Sequence, residues 1–251
     1  MEAAYETVIA GVRLLWRAGA LKFTITGAEN LPSTGGAVVA INHTGYLDFT
    51  FAGLPFYRHK PRRLTRFMAK QEVFDHKVTG PIMRKLRHIP VDRASGAASF
   101  DAAVQALKAG ELVGVYPEAT ISRSFELKEF KSGAVRMALE AQAPIIPLIL
   151  WGPHRMWTKD HPKNLGRKRI PWVIRAGEPL PPRGTTAELD AELRARMTTI
   201  LHEVQQQYPH PAGTWWVPHR LGGTAPTPQE AKRLDEDELA ERARRKAAES
   251  A

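Results

Sequence analysis

The sequence predicts an α/β fold: a mixed, largely parallel sheet covered by helices, with an amphipathic helix at the N-terminus. Three observations lead there. Four short runs, at 37–41, 112–116, 145–150 and 172–176, are almost wholly apolar and rich in Val and Ile, the pattern of strands covered on both faces. Helical patterns lie between them, and strands that alternate with helices pair in parallel. The chain has 251 residues, 43% of them hydrophobic, which suits one domain with or without a tail and excludes global disorder.

Taken in order, residues 4–18 form an amphipathic helix. At about 100° per residue, Tyr5, Val8, Ile9, Val12, Leu15 and Trp16 fall on one side, and Glu2, Glu6, Arg13 and Arg17 on another. Two placements suit it: against the core, or in a membrane interface with Trp16 at headgroup level and the arginines on phosphates. It is not a spanning segment, since no run reaches about 18 apolar residues. Arg13 breaks the run from Val8 to Trp16 and no clean cleavage site follows, so the body is expected in the cytoplasm. The first strand, 37–41, opens into the loop Asn42–Asp48. A helix over 99–109 stops at Gly110 and feeds the strand at 112–116. A helix at 132–141 precedes the strand at 145–150. After the last strand, a long helix over 185–208 starts at a capping box, Thr185 with Glu188. Residues 209–228 are rich in Pro and Gly. The tail beyond them carries seven acids and six bases and reads as a solvated helix held to little else.

The net charge of +10 suggests an anionic partner: nucleic acid, an anionic membrane or a phosphorylated substrate. The tail explains none of it. Residues 58–93 do, with eleven bases against three acids. Few aromatic residues interleave these bases, which weakens a single-stranded nucleic-acid reading. The absence of cysteine excludes disulfides, thiolate nucleophiles and cysteine-held zinc or iron–sulfur groups. His76, His88, His154, His161, His202, His210 and His219 lack metal-ligand spacing, so no metal is expected. Trp151, Trp157 and Trp172 read as core or groove walls.

Chemistry-bearing residues gather just after the apolar runs, where α/β folds place their sites. Asn42-His43-Thr44-Gly45-Tyr46-Leu47-Asp48 follows the first strand. His43 is a candidate general base, and Asp48 can fold back on its ring if His43 lies in the loop and Asp48 in the first helical turn. The bland alternative is a helix cap with a nearby histidine. Pro117-Glu118-Ala119-Thr120-Ile121-Ser122-Arg123-Ser124 follows the second strand, and Ile89-Pro90-Val91-Asp92-Arg93 and Phe130-Lys131-Ser132-Gly133 complete the set.

In this order and spacing, the four blocks resemble the glycerolipid acyltransferase family, which includes the 1-acylglycerol-3-phosphate (lysophosphatidate) acyltransferases. Asn42, His43 and Asp48 match the family's Asn-His-x4-Asp signature, and Ile89–Arg93 its Ile-x-x-Asp-Arg block. Tyr116–Thr120 matches most of Phe-Pro-Glu-Gly-Thr-Arg-Ser, and 143–148 matches the Pro-rich strand. The resemblance covers roughly residues 20–180. It implies a division into a membrane-contacting helix (1–20), an acyltransferase domain (21–212) and a linker with a charged tail (213–251).

The resemblance further implies acyl transfer from acyl-CoA or acyl carrier protein to a hydroxyl of 1-acylglycerol 3-phosphate, on the cytoplasmic face of the membrane, with no cofactor. His43 would be the base and Asp48 its orienter. Asn42, Lys70, Arg93, Glu118, Thr120, Arg123 and Lys131 would bind substrate, the phosphate resting on Arg93 and Lys131. Glycerol 3-phosphate, another lysophospholipid or a glycolipid are alternative acceptors, and a basic nucleic-acid-binding protein is the non-enzymatic alternative. Two departures stand out. Ala119 replaces the family's Gly, and its β-carbon disfavours positive φ. Ile121 and Ser122 intervene before Arg123, so the arginine is expected to contribute less.

Overall fold

The computed structural model describes residues 3–19, 21–92, 96–165 and 169–249. Seven strands form one sheet in the order β1-β7-β6-β2-β5-β3-β4. They are β1 (Lys22–Thr26), β2 (Ala37–Ile41), β3 (Thr65–Lys70), β4 (Ile89–Val91), β5 (Leu112–Val115), β6 (Ile145–Trp151) and β7 (Pro171–Ala176). The five strands from β6 to β4 are mutually parallel. β7 pairs antiparallel with β6, and β1 pairs parallel with β7. This is the mixed, mostly parallel sheet that the apolar runs predict.

Every residue of β2 and β6 is buried, as strands covered on both faces must be. Alternation splits β2 between two apolar layers. Val38 and Ala40 pack with one, which also takes α6 (Gly96–Lys108), α7 (Gly133–Ala141) and α8 (Thr186–Gln207). Ala37, Val39 and Ile41 face the other, with Phe51, Phe56 and Trp172. Helix α8 opens on the expected Thr185–Glu188 capping box and buries Leu189, Leu193, Met197, Leu201 and Val204 along one stripe.

The N-terminal helix, α1 (Ala3–Ala18), rests on the body. Tyr5 donates its hydroxyl to the Thr65 carbonyl at 2.9 Å, and Trp16 stacks on Phe51 with centroids 4.8 Å apart. Trp16 is therefore a core residue, the first of its two expected placements: its indole packs against buried Phe51 and half-buried Phe23 instead of lying at headgroup level. Leu14, by contrast, is exposed.

The tail also differs from its expected form. Trp216, Val217 and Ala225 are buried in the core, so the Pro/Gly-rich stretch is packed structure rather than a loose connector. The final helix, α9 (Pro228–Glu249), is largely solvent-facing but is tied to the body by Asp235 and Glu238.

The basic segment is partly consumed by the fold as well. Arg63 caps the carbonyls of Pro32, Gly35 and Gly110, and buried Arg66 bonds Glu111 and the Leu86 carbonyl. Arg58, Lys60, Lys77 and Lys85 are exposed.

Candidate active site

Because β2, β5, β3 and β4 run parallel, their carboxyl ends lie along one edge of the sheet. That edge receives the loop 42–47 after β2, Tyr116–Glu118 after β5, Lys70 at the end of β3 and Asp92 after β4. Arg93 lies outside the described residues.

His43 sits in the loop, and Asp48 begins the short helix α2 (Asp48–Ala52). Nδ1 of His43 is 2.9 Å from Oδ2 of Asp48. The same oxygen accepts the backbone N–H groups of Thr44 (2.7 Å) and Gly45 (2.9 Å), so the fully buried carboxylate is fixed by three donors. Gly45 is required by close approach: a β-carbon there would stand 2.8 Å from the Trp157 carbonyl oxygen. With Nδ1–H given to Asp48, Nε2 is the basic nitrogen of the ring. The Tyr116 ring stacks on His43, centroids 4.3 Å apart, and the His43 side chain keeps 22% exposure, so the ring is not sealed from solvent.

Glu118 is buried beneath this loop. One carboxylate oxygen accepts the His43 N–H at 2.8 Å, the other the Lys128 N–H at 3.0 Å. Burial pushes its pKa up to about 7, against the pull of those two bonds. Both oxygens are thus committed to backbone, and Glu118 shapes the peptide that carries the histidine.

The inserted residues take part in the same support. Ser122 donates its N–H to the His43 carbonyl at 2.8 Å, and Ile121 is buried. The chain then delivers Arg123 to three carboxylates: Asp160 (2.5 Å from Nε), Asp235 and Glu238 (2.9 Å from Nη2). Ala119 takes φ +59° despite its β-carbon, so the loop keeps a left-handed turn and bears its strain.

Other predicted residues are dispersed. Asn42 spends its amide on Leu150, accepting its N–H at 2.7 Å and donating to its carbonyl at 3.0 Å, which splices the end of β2 to β6. Thr120 accepts from Lys128 Nζ at 2.5 Å. Lys131 is exposed, and its backbone N–H bonds the Pro117 carbonyl. Lys70 is exposed at the end of β3.

Two cations outside the motifs, Lys128 and Lys159, join the Arg123 cluster. Only an acidic turn spaced three apart on the tail, Asp235 and Glu238, hints at them in the sequence. Buried His154 gives Nε2 to the Trp216 carbonyl region at 3.1 Å, and burial lowers its pKa to about 3, which suits a packing role. Among the described residues, no group of His, Asp and Glu could hold a metal ion.

A family model described as Acyltransferase matches residues 22–151, about half of the chain. Two relatives named 1-acyl-sn-glycerol-3-phosphate acyltransferase are similar. That of Bacillus subtilis is 37% identical over 129 residues, 50% of this chain, and that of Borreliella burgdorferi 31% over 157 residues, 61% of this chain. The match spans 60% of each relative's length. The crystal structure of the 1-acyl-sn-glycerophosphate (LPA) acyltransferase from Thermotoga maritima shares the fold, with a TM-score of 0.62 at 20% identity, covering 82% of this chain and 85% of that one.

Proposed function

Since the chain belongs to the acyltransferase family, we propose that it moves a fatty acyl group from a thioester, acyl-CoA or acyl carrier protein, to the free hydroxyl of 1-acylglycerol 3-phosphate. The product, phosphatidic acid, would enter phospholipid biosynthesis. The names carried by the Bacillus and Borreliella relatives favour this acceptor. The observation that carries the chemistry is the 2.9 Å contact between His43 Nδ1 and the triply anchored Asp48.

In this reading Nε2 of His43 takes the hydroxyl proton as the acceptor oxygen attacks the thioester carbonyl. Asp48 stabilises the imidazolium and holds its tautomer. The tetrahedral intermediate then collapses, the C–S bond breaks, and the imidazolium returns its proton to the leaving thiolate. A base so placed is typically worth about 10²–10⁴-fold. The acceptor's phosphate rests on Arg93 and Lys131, with Lys70 adding to the field. Arg123, already held by three carboxylates, contributes less.

The protein would dock on the cytoplasmic face of an anionic membrane without spanning it. Among the described residues, no helix is long and apolar enough to cross a membrane. Leu14, Val78 and Ile82 are exposed. Between α1 and α5 (Thr79–Lys85) lies a recess of about 230 Å³, lined by Thr7, Val8, Ile82, Lys85 and Leu86. Apolar insertion beside exposed lysines suits two additive, modest signals.

The test is an acceptor panel incubated with labelled acyl-CoA and acyl carrier protein, with product identification. The panel includes glycerol 3-phosphate, because the two residues inserted before Arg123 alter the loop beside the histidine. Phosphatidic acid from 1-acylglycerol 3-phosphate supports the reading. Transfer to none of the phosphate-bearing acceptors overturns it.

A further inference from the structure

The cluster that holds the C-terminal helix has the composition of an anion site. Arg123, Lys128 and Lys159 supply three positive charges. Arg123 is buried, and the side chains of Lys159 and Asp235 are 12% and 16% exposed. Asp160, Asp235 and Glu238 supply three negative charges. Glu238 lies 2.7 Å from Lys159 and 2.9 Å from Arg123, while Asp235 bonds Arg123 and Lys128 directly. Two of the three carboxylates thus come from α9. Without them the body keeps two uncompensated positive charges, a match for the −1.5 to −2 of a phosphomonoester at neutral pH.

The cluster is also fastened to the catalytic loop from both sides. Ser122, next to Arg123, holds the His43 carbonyl, and the backbone of Lys128 holds Glu118, which holds the His43 N–H. Thr158, next to Lys159, donates to the Thr44 carbonyl at 2.7 Å, and the Trp157 carbonyl accepts from Tyr46.

Helix α9 has little other anchorage. Ala231 is its one buried residue among those described, and Leu234 and Leu239 are exposed. Its attachment is therefore electrostatic in the main; pairs this buried are screened little by salt, so release calls for an anion that enters the site and takes the place of the carboxylates.

We propose that Arg123, Lys128 and Lys159 form a phosphomonoester site beside His43, and that Asp235 and Glu238 occupy it as a removable intramolecular plug. A phosphomonoester competes with the two carboxylates, and its binding releases α9. The tether presents the carboxylates at an effective concentration on the order of millimolar, so the plug yields only to ligands that bind the open site well. Arg123 is also among the residues that the resemblance assigns to substrate, so the site adjoins the position assigned to the acceptor; Lys128, Lys159 and the two carboxylates of α9 are what this inference adds. The site's existence does not depend on that assignment, because binding is measured without any acyl donor.

The experiment compares the full chain with the Asp235→Asn/Glu238→Gln double variant, which keeps the side-chain shapes and removes the charges. Titration calorimetry with inorganic phosphate and, separately, with glycerol 3-phosphate reads the affinity. The double variant should bind at least one of them about tenfold more tightly or better, and adding Lys159→Gln should cancel the gain. Tighter binding of both assigns the site to the phosphate group itself. Tighter binding of glycerol 3-phosphate alone shows that the glycerol moiety is read as well. Hydrogen–deuterium exchange on the unaltered chain gives a second readout that needs no variant. Phosphomonoester at saturating concentration should speed exchange across residues 228–249. Unchanged affinity for both probes in a folded double variant, or no change in α9 exchange with either, overturns the proposal.

Discussion

Replacing Glu118 with glutamine perturbs the support of the catalytic loop in a way that depends on pH. In the folded protein the carboxyl titrates at about 7, against an ordinary value of 4.5, because burial outweighs the bonds from the Lys128 and His43 N–H groups. A folded-state pKa raised in this way gives stability that is fully present below the unfolded value and lost as pH rises through 7. Between pH 5 and pH 8 the loss is roughly 2–3 kcal/mol for this one group. Glutamine does not titrate. It has one acceptor oxygen, however, where two N–H groups need one each, so a donor faces either His43 or Lys128 at a cost of about 1–3 kcal/mol. Near pH 5 the variant should therefore be the less stable protein. By pH 8 the gap should have closed by roughly 2–3 kcal/mol.

The comparison must be made as a difference, because buried His154 pulls the other way. Its folded pKa of about 3 lies below the ordinary 6.5, so its contribution falls as pH drops through that window. It is common to both proteins and cancels. Urea unfolding of each at the two pH values measures the gap. An identical gap at pH 5 and pH 8 would show that Glu118 does not change charge in this range, and the reasoning would fail.

Three further substitutions separate support from chemistry. Ala119→Gly should raise stability by roughly 1 kcal/mol in thermal or urea unfolding, since glycine accepts φ +59° without the strain of a β-carbon. Asn42→Ala should cost about 1–3 kcal/mol of stability by unpairing the buried Leu150 N–H, while the acceptor KM measured on the folded fraction stays within about twofold. A large KM change at constant stability would return Asn42 to the substrate. Tyr116→Phe should be neutral or stabilising by up to about 1 kcal/mol, because the hydroxyl it removes is buried with no hydrogen-bond partner among the described residues.

The parts of the fold that were legible in the sequence are those whose burial is simplest. The central strands β2, β5 and β6 and the edgeward β7 are near-continuous apolar runs, and helix α8 announces itself with a capping box. The strands that escaped are those with mixed surroundings. β1 alternates Lys-Phe-Thr-Ile-Thr at the sheet edge, β3 carries Arg66 into a buried ion pair, and β4 is three residues long. At the site, the His43–Asp48 relation was legible because it is local, five residues apart. The role of Glu118 was not, because it works through backbone donors 75 and 10 residues away. The anchorage of the tail was hidden for the same reason. Arg123 and Asp235 are 112 residues apart, and a charge run shows nothing of what lies opposite it.

The central claim is that His43 takes the acceptor's proton while Asp48 holds the ring. The direct measurement is kcat for His43→Ala with saturating acyl donor and acceptor, beside donor binding and urea unfolding of the same protein. A fall of about 10²–10⁴-fold is predicted, with donor affinity and stability near wild type, and Asp48→Asn should also lower kcat strongly. A folded His43→Ala protein that keeps more than about a tenth of the wild-type rate would contradict the account, because that loss is smaller than any positioned base supplies.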